Sequence, residues 1–432
     1  METRFTTTSL LDPDIAAAND ILRKCVHCGF CTATCPSYVI LGDELDSPRG
    51  RIWQIKEMLE TGEPAPAATV KHVDRCLSCL SCMTTCPSGV DYLRLVDQAR
   101  GHIEQSFRRP LSERLLRSLI AHLVPRPRLF RLALAGAWLV RPIAALLPGR
   151  LGALVALAPA RLQGPSPAAT PQVFAALGQR RKRVALLTGC AQQVLGAAIN
   201  EATVRLLRRH GCEVVISPAG CCGALDFHLG REDQARARAR RAIAAWTAEL
   251  EGAGLDAVVI NASGCGSTVK DYGHMFRDDE AWRGRAERIA GLALDVSELL
   301  LELGLEKPAV PQPDLTVAYH DACSLQHAQK LSAPPRQLLR AAGFELREVP
   351  EGHLCCGSAG TYNMLQPELA GRLGRRKAAN LETSGGAVVA VGNLGCLVQI
   401  SQHSALPVVH TVELLDWATG GPRPRAMGPG NG

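Results

Sequence analysis

From residue 183 onward, short apolar runs alternate with longer stretches that mix charged and apolar residues. "RVALLTGC" (183–190), "CEVVISPAGCCG" (212–223) and "DAVVINASGCG" (256–266) form one series of runs. "LTVAYHDAC" (315–323), "ELREVPEGHLCCG" (345–357) and "AVVAVGNLGC" (387–396) form a second. Short apolar runs separated by helical stretches predict strands of parallel α/β sheets. The N-terminal part has a different texture. In "DSPRGRIWQIKEMLETG", Ile52, Ile55 and Leu59 form an apolar stripe at helical spacing. Ser47 can cap that helix, Pro48 suits its first position and Gly62 can end it.

Residues 106–182 are rich in Leu, Ala, Arg and Pro. Pro110, Pro125, Pro127, Pro142, Pro148 and Pro159 divide this stretch into short helices. Arg131, Arg141, Arg150 and Arg161 recur among its apolar residues. Two readings stand at this point. One is an amphipathic segment facing a membrane surface or a quinone. The other is a set of helices packed over the neighbouring domain and partner subunits. "LQGPSPAATPQ" (162–172) reads as a linker and a domain boundary.

The chain has 432 residues, 47% of them hydrophobic, which is ample for a buried core and several domains. Its formal charge of +7 is mild, like charges do not cluster in blocks, and aromatics make up only 4%. A nucleic-acid partner is therefore not expected. The opening "METRFTTTSLLDPDI" has no apolar core of a secretory signal. The longest apolar runs break off before the roughly 18 residues of a spanning helix. The expected location is cytoplasmic, with peripheral attachment to the inner face of the cytoplasmic membrane as the variant. Seventeen cysteines in a reducing compartment point to metal ligands rather than disulfides.

Eight of these cysteines fall into two runs, "CVHCGFCTATCP" (25–36) and "CLSCLSCMTTCP" (76–87). Both match C-x2-C-x2-C-x3-C-P, the spacing of two-cluster ferredoxins. Three close thiolates wrap three corners of a cubane, and the proline turns the fourth toward the other cluster. The expected sets are crossed: Cys25, Cys28, Cys31 and Cys86 for one 4Fe–4S cluster, and Cys35, Cys76, Cys79 and Cys82 for the second. Zinc sites more often come as C-x2-C pairs separated by a longer loop.

Eight more cysteines repeat. Cys190, Cys221, Cys222 and Cys265 correspond to Cys323, Cys355, Cys356 and Cys396, spaced by 131–134 residues, which marks an internal duplication. Each follows a predicted strand, so the set should gather at the carboxyl edge of its sheet. These eight are candidates for a redox role or a further metal or cluster, with buried structural thiols as the alternative. Cys212 is unlike the others. Its counterpart is Phe344 after a matching glycine, so it reads as a small strand hydrophobe. His228, His320, His327 and His353 lie near these cysteines and read as hydrogen-bonded loop residues.

Two ferredoxin motifs followed by two "CCG" domains resemble the iron–sulfur subunits of membrane-associated dehydrogenases. Relatives of this kind include heterodisulfide reductase subunits, the small subunit of anaerobic glycerol-3-phosphate dehydrogenase and lactate-utilisation proteins. The finer resemblance is to glycolate oxidase iron–sulfur subunits. It is carried by "KCVHCGFCTATCPSYVILGDELDSPRGRI", "TCPSGVDY", "SGCGSTVKDYG", "CSLQHAQKL" and "HLCCGSAGTYN". The chain departs from the heterodisulfide reductase type, whose non-cubane cluster uses a terminal C-x2-C. Here Cys265 is followed by Gly-Ser-Thr and Cys396 by Leu-Val-Gln.

The resemblance implies a multidomain α plus α/β fold. Its parts would be a helical two-cluster ferredoxin domain (1–105), a helical Pro-rich linker (106–182) and two CCG domains (183–305 and 306–432). It also implies flavin-binding glycolate oxidase subunits as partners, carrying FAD. Oxidising a 2-hydroxy acid needs a two-electron acceptor, and no G-x-G-x-x-G opens a βαβ unit here. The chain is thus expected to have no catalytic residue of its own. It would relay electrons from glycolate, or D-lactate, oxidation toward a quinone or another acceptor. Two alternatives are a lactate, glycerol-3-phosphate or heterodisulfide-reductase-type subunit, and a non-catalytic cluster scaffold or redox sensor.

Overall fold

A computed structural model of the protein describes residues 1–146, scattered positions between 152 and 162, 164–306 and 315–428. Pro148, Arg150 and Arg161, and residues 307–314 and 429–432 of the second CCG span, lie outside the described residues.

The N-terminal region is helical, with helices at Pro13–Lys24, Pro36–Leu41, Pro48–Thr61, Ala67–Asp74, Ser81–Thr85 and Tyr92–Ser106. The predicted central helix forms as the sequence indicates. The Ser47 hydroxyl accepts the Gly50 N–H at 2.9 Å, Pro48 opens the helix and left-handed Gly62 ends it. Ile52, Ile55 and Leu59 are buried against Leu22, Val73, Leu95 and Val96. Two further helices follow, Leu111–Leu123 and Pro127–Val140. The first turns Arg117, Ile120 and Ala121 inward and leaves Leu111, Leu115 and Leu119 exposed. Leu132, Trp138 and Leu139 on the second are exposed too.

Two sheets with helices between their strands make up the rest. The first contains β1 (Gln172–Phe174), β2 (Lys182–Leu187), β3 (Cys212–Ile216), β4 (Ala257–Ile260) and β5 (Ala293–Asp295) in the order β1-β3-β2-β4-β5. The second contains β6 (Thr316–His320), β7 (Glu345–Arg347), β8 (Val388–Val391) and β9 (Val408–His410) in the order β7-β6-β8-β9. Apart from β1, which pairs antiparallel to β3, every pairing is parallel. With β1 set aside, the two orders are the same, so the duplication read from the cysteine spacing extends to topology. β1 itself lies in the stretch read as linker, and its short "QVF" gives little sequence signal.

The repeats share one core. Leu206, Val259 and Val296 of the first pack in the same cluster as Val317, Val388 and Val412 of the second. Arg205 donates to the buried Asp416 carboxylate at 2.9 and 2.6 Å across this seam. The N-terminal helices are clamped to both repeats. Arg94 makes a two-pronged contact with Asp271 at 2.7 and 2.5 Å, and Arg372 donates to the Ile40 carbonyl at 2.7 Å.

The third residue of each CCG triplet is fixed by geometry. Gly223 and Gly357 have φ of +90° and +92°. A Cβ on either would stand 2.7 Å from a helix carbonyl, that of Ala235 or Ala370. Each glycine also gives its N–H to the first cysteine of its triplet, at 3.5 Å in both repeats. Gly357→Ala should therefore cost more than the ~1–2 kcal/mol of a left-handed residue. Gly385→Ala is the control, with φ of +76° and no atom near the added methyl. Thermal unfolding should rank Gly357→Ala well below Gly385→Ala, and equal melting temperatures would contradict the close-approach argument.

Candidate metal centres

The two ferredoxin-type runs have the same backbone. His27 and Ser78 sit before the second cysteine with φ of 55° and 49°, and Gly29 and Leu80 sit after it with φ of 85° and 62°. Left-handed residues on both sides of a cysteine curl the chain around a point and turn N–H groups inward. Ser78 N–H reaches Cys76 Sγ at 3.4 Å. A leucine held left-handed costs ~1–2 kcal/mol, so the wrapped shape of the second run is maintained against local preference. Pro36 begins a helix with Cys35 as its cap residue, the turn expected after a fourth cysteine.

Two hollows result. One is lined by Cys25, Cys28, Cys31 and Cys86 together with Cys82. The other is lined by Cys35, Cys76, Cys79 and Cys82. Each takes three cysteines from one run and includes the last of the other, Cys82 borders both, and Pro48 and Tyr92 line both. All seventeen cysteines are free thiols. Four converging thiols, inward N–H groups and the absence of disulfides fit a 4Fe–4S group in each hollow.

Arg51 supplies charge to the second hollow. It is 1% exposed and donates to the His72 carbonyl (2.6 Å), the Ser37 hydroxyl (2.9 Å), Asp46 Oδ1 (3.1 Å) and Cys35 Sγ (3.8 Å). Asp46 is fully buried and also accepts from Arg75 at 2.8 Å. Burial disfavours the Arg51 charge, yet Cys76, Tyr92, Cys35 and Asp46 hold it protonated. Burial likewise raises Cys76, but Arg51 and Arg100 outweigh it and bring that thiol below the usual range. Tyr92 adds a hydroxyl donor to Cys76 Sγ at 3.6 Å. At Cys79 and Cys82, burial and then the neighbouring thiols outweigh the help from the Ser81 backbone and from Arg51, and both are pushed well up.

The repeated cysteines form two matching chains of thiols. Cys190, Cys221, Cys222 and Cys265 neighbour one another in that order. Cys323, Cys355, Cys356 and Cys396 do the same, with Cys323 and Cys355 sulfurs 3.8 Å apart. The loops after the strands carry all but two of them. Cys265 and Cys396 sit in the first turns of helices Ser263–Lys270 and Leu394–Ser401.

The surroundings of the two chains differ. The first opens onto an apolar cavity of about 280 Å³ walled by its four cysteines, by Phe130 and Leu134 of the preceding helix, and by Asn363 and Leu394 of the second repeat. The second is packed against the ferredoxin-type region. Leu77, Cys79, Cys355, Tyr362 and Leu369 share one buried cluster, with Cys323 against it.

Cys212 is fully buried at the start of β3, as a strand hydrophobe should be. His327 is hydrogen-bonded as expected, facing Thr84 Oγ1 at 2.9 Å and the His353 carbonyl at 3.1 Å, but it sits in the short helix Ser324–Ala328 rather than in a loop. His320 departs from that expectation because it ends strand β6 and its ring nitrogens have no hydrogen-bond partner. Sequence reasoning missed Arg51 and Tyr92. The signal for Arg51 was its place one residue before Ile52, on a helix whose start was already legible.

Residues 21–90 match the model of the 4Fe-4S dicluster domain, and 184–270 and 317–401 each match that of the cysteine-rich domain named CCG. Fold and site together define an iron–sulfur subunit of an oxidoreductase. The chain is 42% identical over 419 residues to the glycolate oxidase iron-sulfur subunit of Escherichia coli K12, spanning 97% of this chain and 99% of that one. It is 34% identical over 396 residues to a probable glycolate oxidase iron-sulfur subunit of Bacillus subtilis, 88% of each. Lactate utilization protein A of Bacillus licheniformis matches at 26% over 242 residues, 54% of this chain and 99% of that protein. The chain belongs to the family of glycolate oxidase iron–sulfur subunits. As a subunit, it implies partner subunits. Among the described residues, no helix is long and apolar enough to cross a membrane.

Removing one partner of the buried Arg51–Asp46 pair should cost far more than breaking a surface pair. Arg51→Leu leaves a buried carboxylate short of a partner and should cost about 3–5 kcal/mol. Arg49→Leu removes a partly exposed pair with Glu44 and should cost about 0–1 kcal/mol. Anaerobic denaturant unfolding separates the two, and similar midpoints would refute the ranking.

Proposed function

We propose that this chain is the electron-relay subunit of a flavin-dependent glycolate dehydrogenase complex. It would carry electrons from glycolate or D-lactate oxidation on partner subunits, where FAD would sit, toward a quinone or another acceptor. The observation that carries this reading is the pair of adjoining four-thiol hollows in a chain of this family. Cys25, Cys28, Cys31 and Cys86 would hold one 4Fe–4S group, and Cys35, Cys76, Cys79 and Cys82 the other. Bound there, these groups supply one-electron redox chemistry.

The chain's own residues prepare the sites. Pro48 and Tyr92 line both hollows, which supports a short path between them. Arg51 offsets negative charge at the second, and the Ser78 N–H and Tyr92 O–H donate to Cys76. Such donors and charges favour the more reduced state of a sulfur-ligated centre. The cavity beside Cys190, Cys221, Cys222 and Cys265 has room for a further metal or cluster.

The four-part division at 105/106, 182/183 and 305/306 remains our domain reading. The exposed leucines of 111–119, with Leu132, Trp138 and Leu139, are the apolar face on which we expect partner subunits or the inner surface of the cytoplasmic membrane. A cytoplasmic, peripheral location accords with that face.

Two experiments test the reading. Cys86→Ser should damage the centre of the first run, and Cys35→Ser that of the second, in paramagnetic resonance spectra of the anaerobic protein. Each variant losing the centre of its own run instead would refute the crossed sets. For the relay itself, the purified chain should reduce no dye with glycolate, and adding the flavin subunits should restore reduction. Robust glycolate oxidation by the flavin-free chain would overturn it.

A further inference from the structure

His320 stands at the carboxyl end of β6, between the strands that lead to the other two residues of interest. Cys356 follows β7, and Cys396 follows β8. The three ligand atoms of His320, Cys356 and Cys396 all lie within 4.8 Å of one another, and all three residues are buried. His320 is 2% exposed, and neither Nδ1 nor Nε2 has a hydrogen-bond partner. An imidazole buried with both nitrogens unpaired costs free energy that native structures rarely leave uncompensated. A bound cation would compensate it.

We infer that His320, Cys356 and Cys396 form a mononuclear site for a soft divalent cation of the zinc class. Cys355 lies outside this triad, but its thiol adjoins that of Cys356, so its side chain would turn inward as the fourth ligand. Mixed Cys and His donors in a closed pocket are the ligand set of structural zinc. At Zn–S of about 2.3 Å and Zn–N of about 2.0 Å, tetrahedral ligands stand roughly 3.5–3.8 Å apart, so the triad closes by small side-chain shifts.

The surrounding groups suit three thiolates around one dication, an assembly of net charge −1. The Lys377 ammonium is buried nearby and faces Cys355 and Cys356. Asn393 Nδ2 donates to Cys396 Sγ at 3.6 Å, and Gly357 N–H donates to Cys355 Sγ at 3.5 Å. Such outer partners orient ligands and tune their basicity.

The first repeat lacks the site. By the spacing of Cys190 and Cys323, the counterpart of His320 is Leu187, which is buried in its own strand. The cation would pin the loops that pack against Leu77 and Cys79, giving the ferredoxin-type region a rigid seat. This does not depend on the relay reading, because it concerns a metal other than iron.

The test is elemental analysis of the anaerobically purified full chain. Wild type should carry about one zinc per chain beyond its iron. His320→Leu, which installs the residue of the first repeat, should lose that zinc and keep its iron and paramagnetic spectra. Should the variant fail to fold, zinc-edge X-ray absorption of the wild type still decides. One nitrogen with three sulfurs is expected, and an all-sulfur shell would overturn the site. So would zinc-free wild type, undiminished zinc in His320→Leu, or loss of iron in place of zinc.

Discussion

The molecule turns on one contact, the packing of the second ferredoxin-type run against the cysteine loops of the second repeat. Leu77 and Cys79 bury themselves against Cys355, Tyr362 and Leu369. That contact is what brings the thiols of the helical region beside those of the second repeat. Arg94 with Asp271, Arg372 with the Ile40 carbonyl and Thr84 with His327 hold the same orientation from the margins. Those polar contacts set the register. The apolar cluster excludes water, and exclusion of water is what gives nearby charges such as Arg51 their leverage.

Duplication supplied two equal sheets, and burial made them unequal. The second repeat meets the N-terminal region, and its thiol chain is closed over by protein. The first faces the proline-divided helices instead, and a cavity remains between its thiols and Phe130 and Leu134. The shared parts are those that geometry dictates: strand order, the left-handed glycine and the N–H it gives to sulfur. The parts that differ are those that set chemistry, such as His320 against Leu187.

Much of this was legible along the chain because it is local. A capped helix is written in adjacent residues, which is why Ser47, Pro48 and Gly62 could be read directly. The crossed thiol sets we propose rest on a spacing rule and a proline. The duplicated sheets follow from recurring cysteines behind apolar runs. What could not be read depends on distant pieces of chain. Arg51 looks like one more charge on a helix until Asp46, Ser37 and the His72 carbonyl close around it. Tyr92 reads as a core aromatic, and only folding brings its hydroxyl to Cys76. His320 could be placed near cysteines by sequence, but its lack of partners depends on three strands in register. β1 escaped because three residues carry too little periodicity.

The crossed hollows also impose a timetable on synthesis. Neither exists until both runs are out of the ribosome, since each has a wall from the other. Cys86 is made 51 residues after Cys35, about 3–10 s later at ~5–20 residues/s. Through that interval the first run is a set of exposed thiols with nothing to enclose. It is then open to oxidation and to any stray metal that prefers three sulfurs. The half-built site is thus the stage at which these thiols are least protected, because the finished hollows bury most of them.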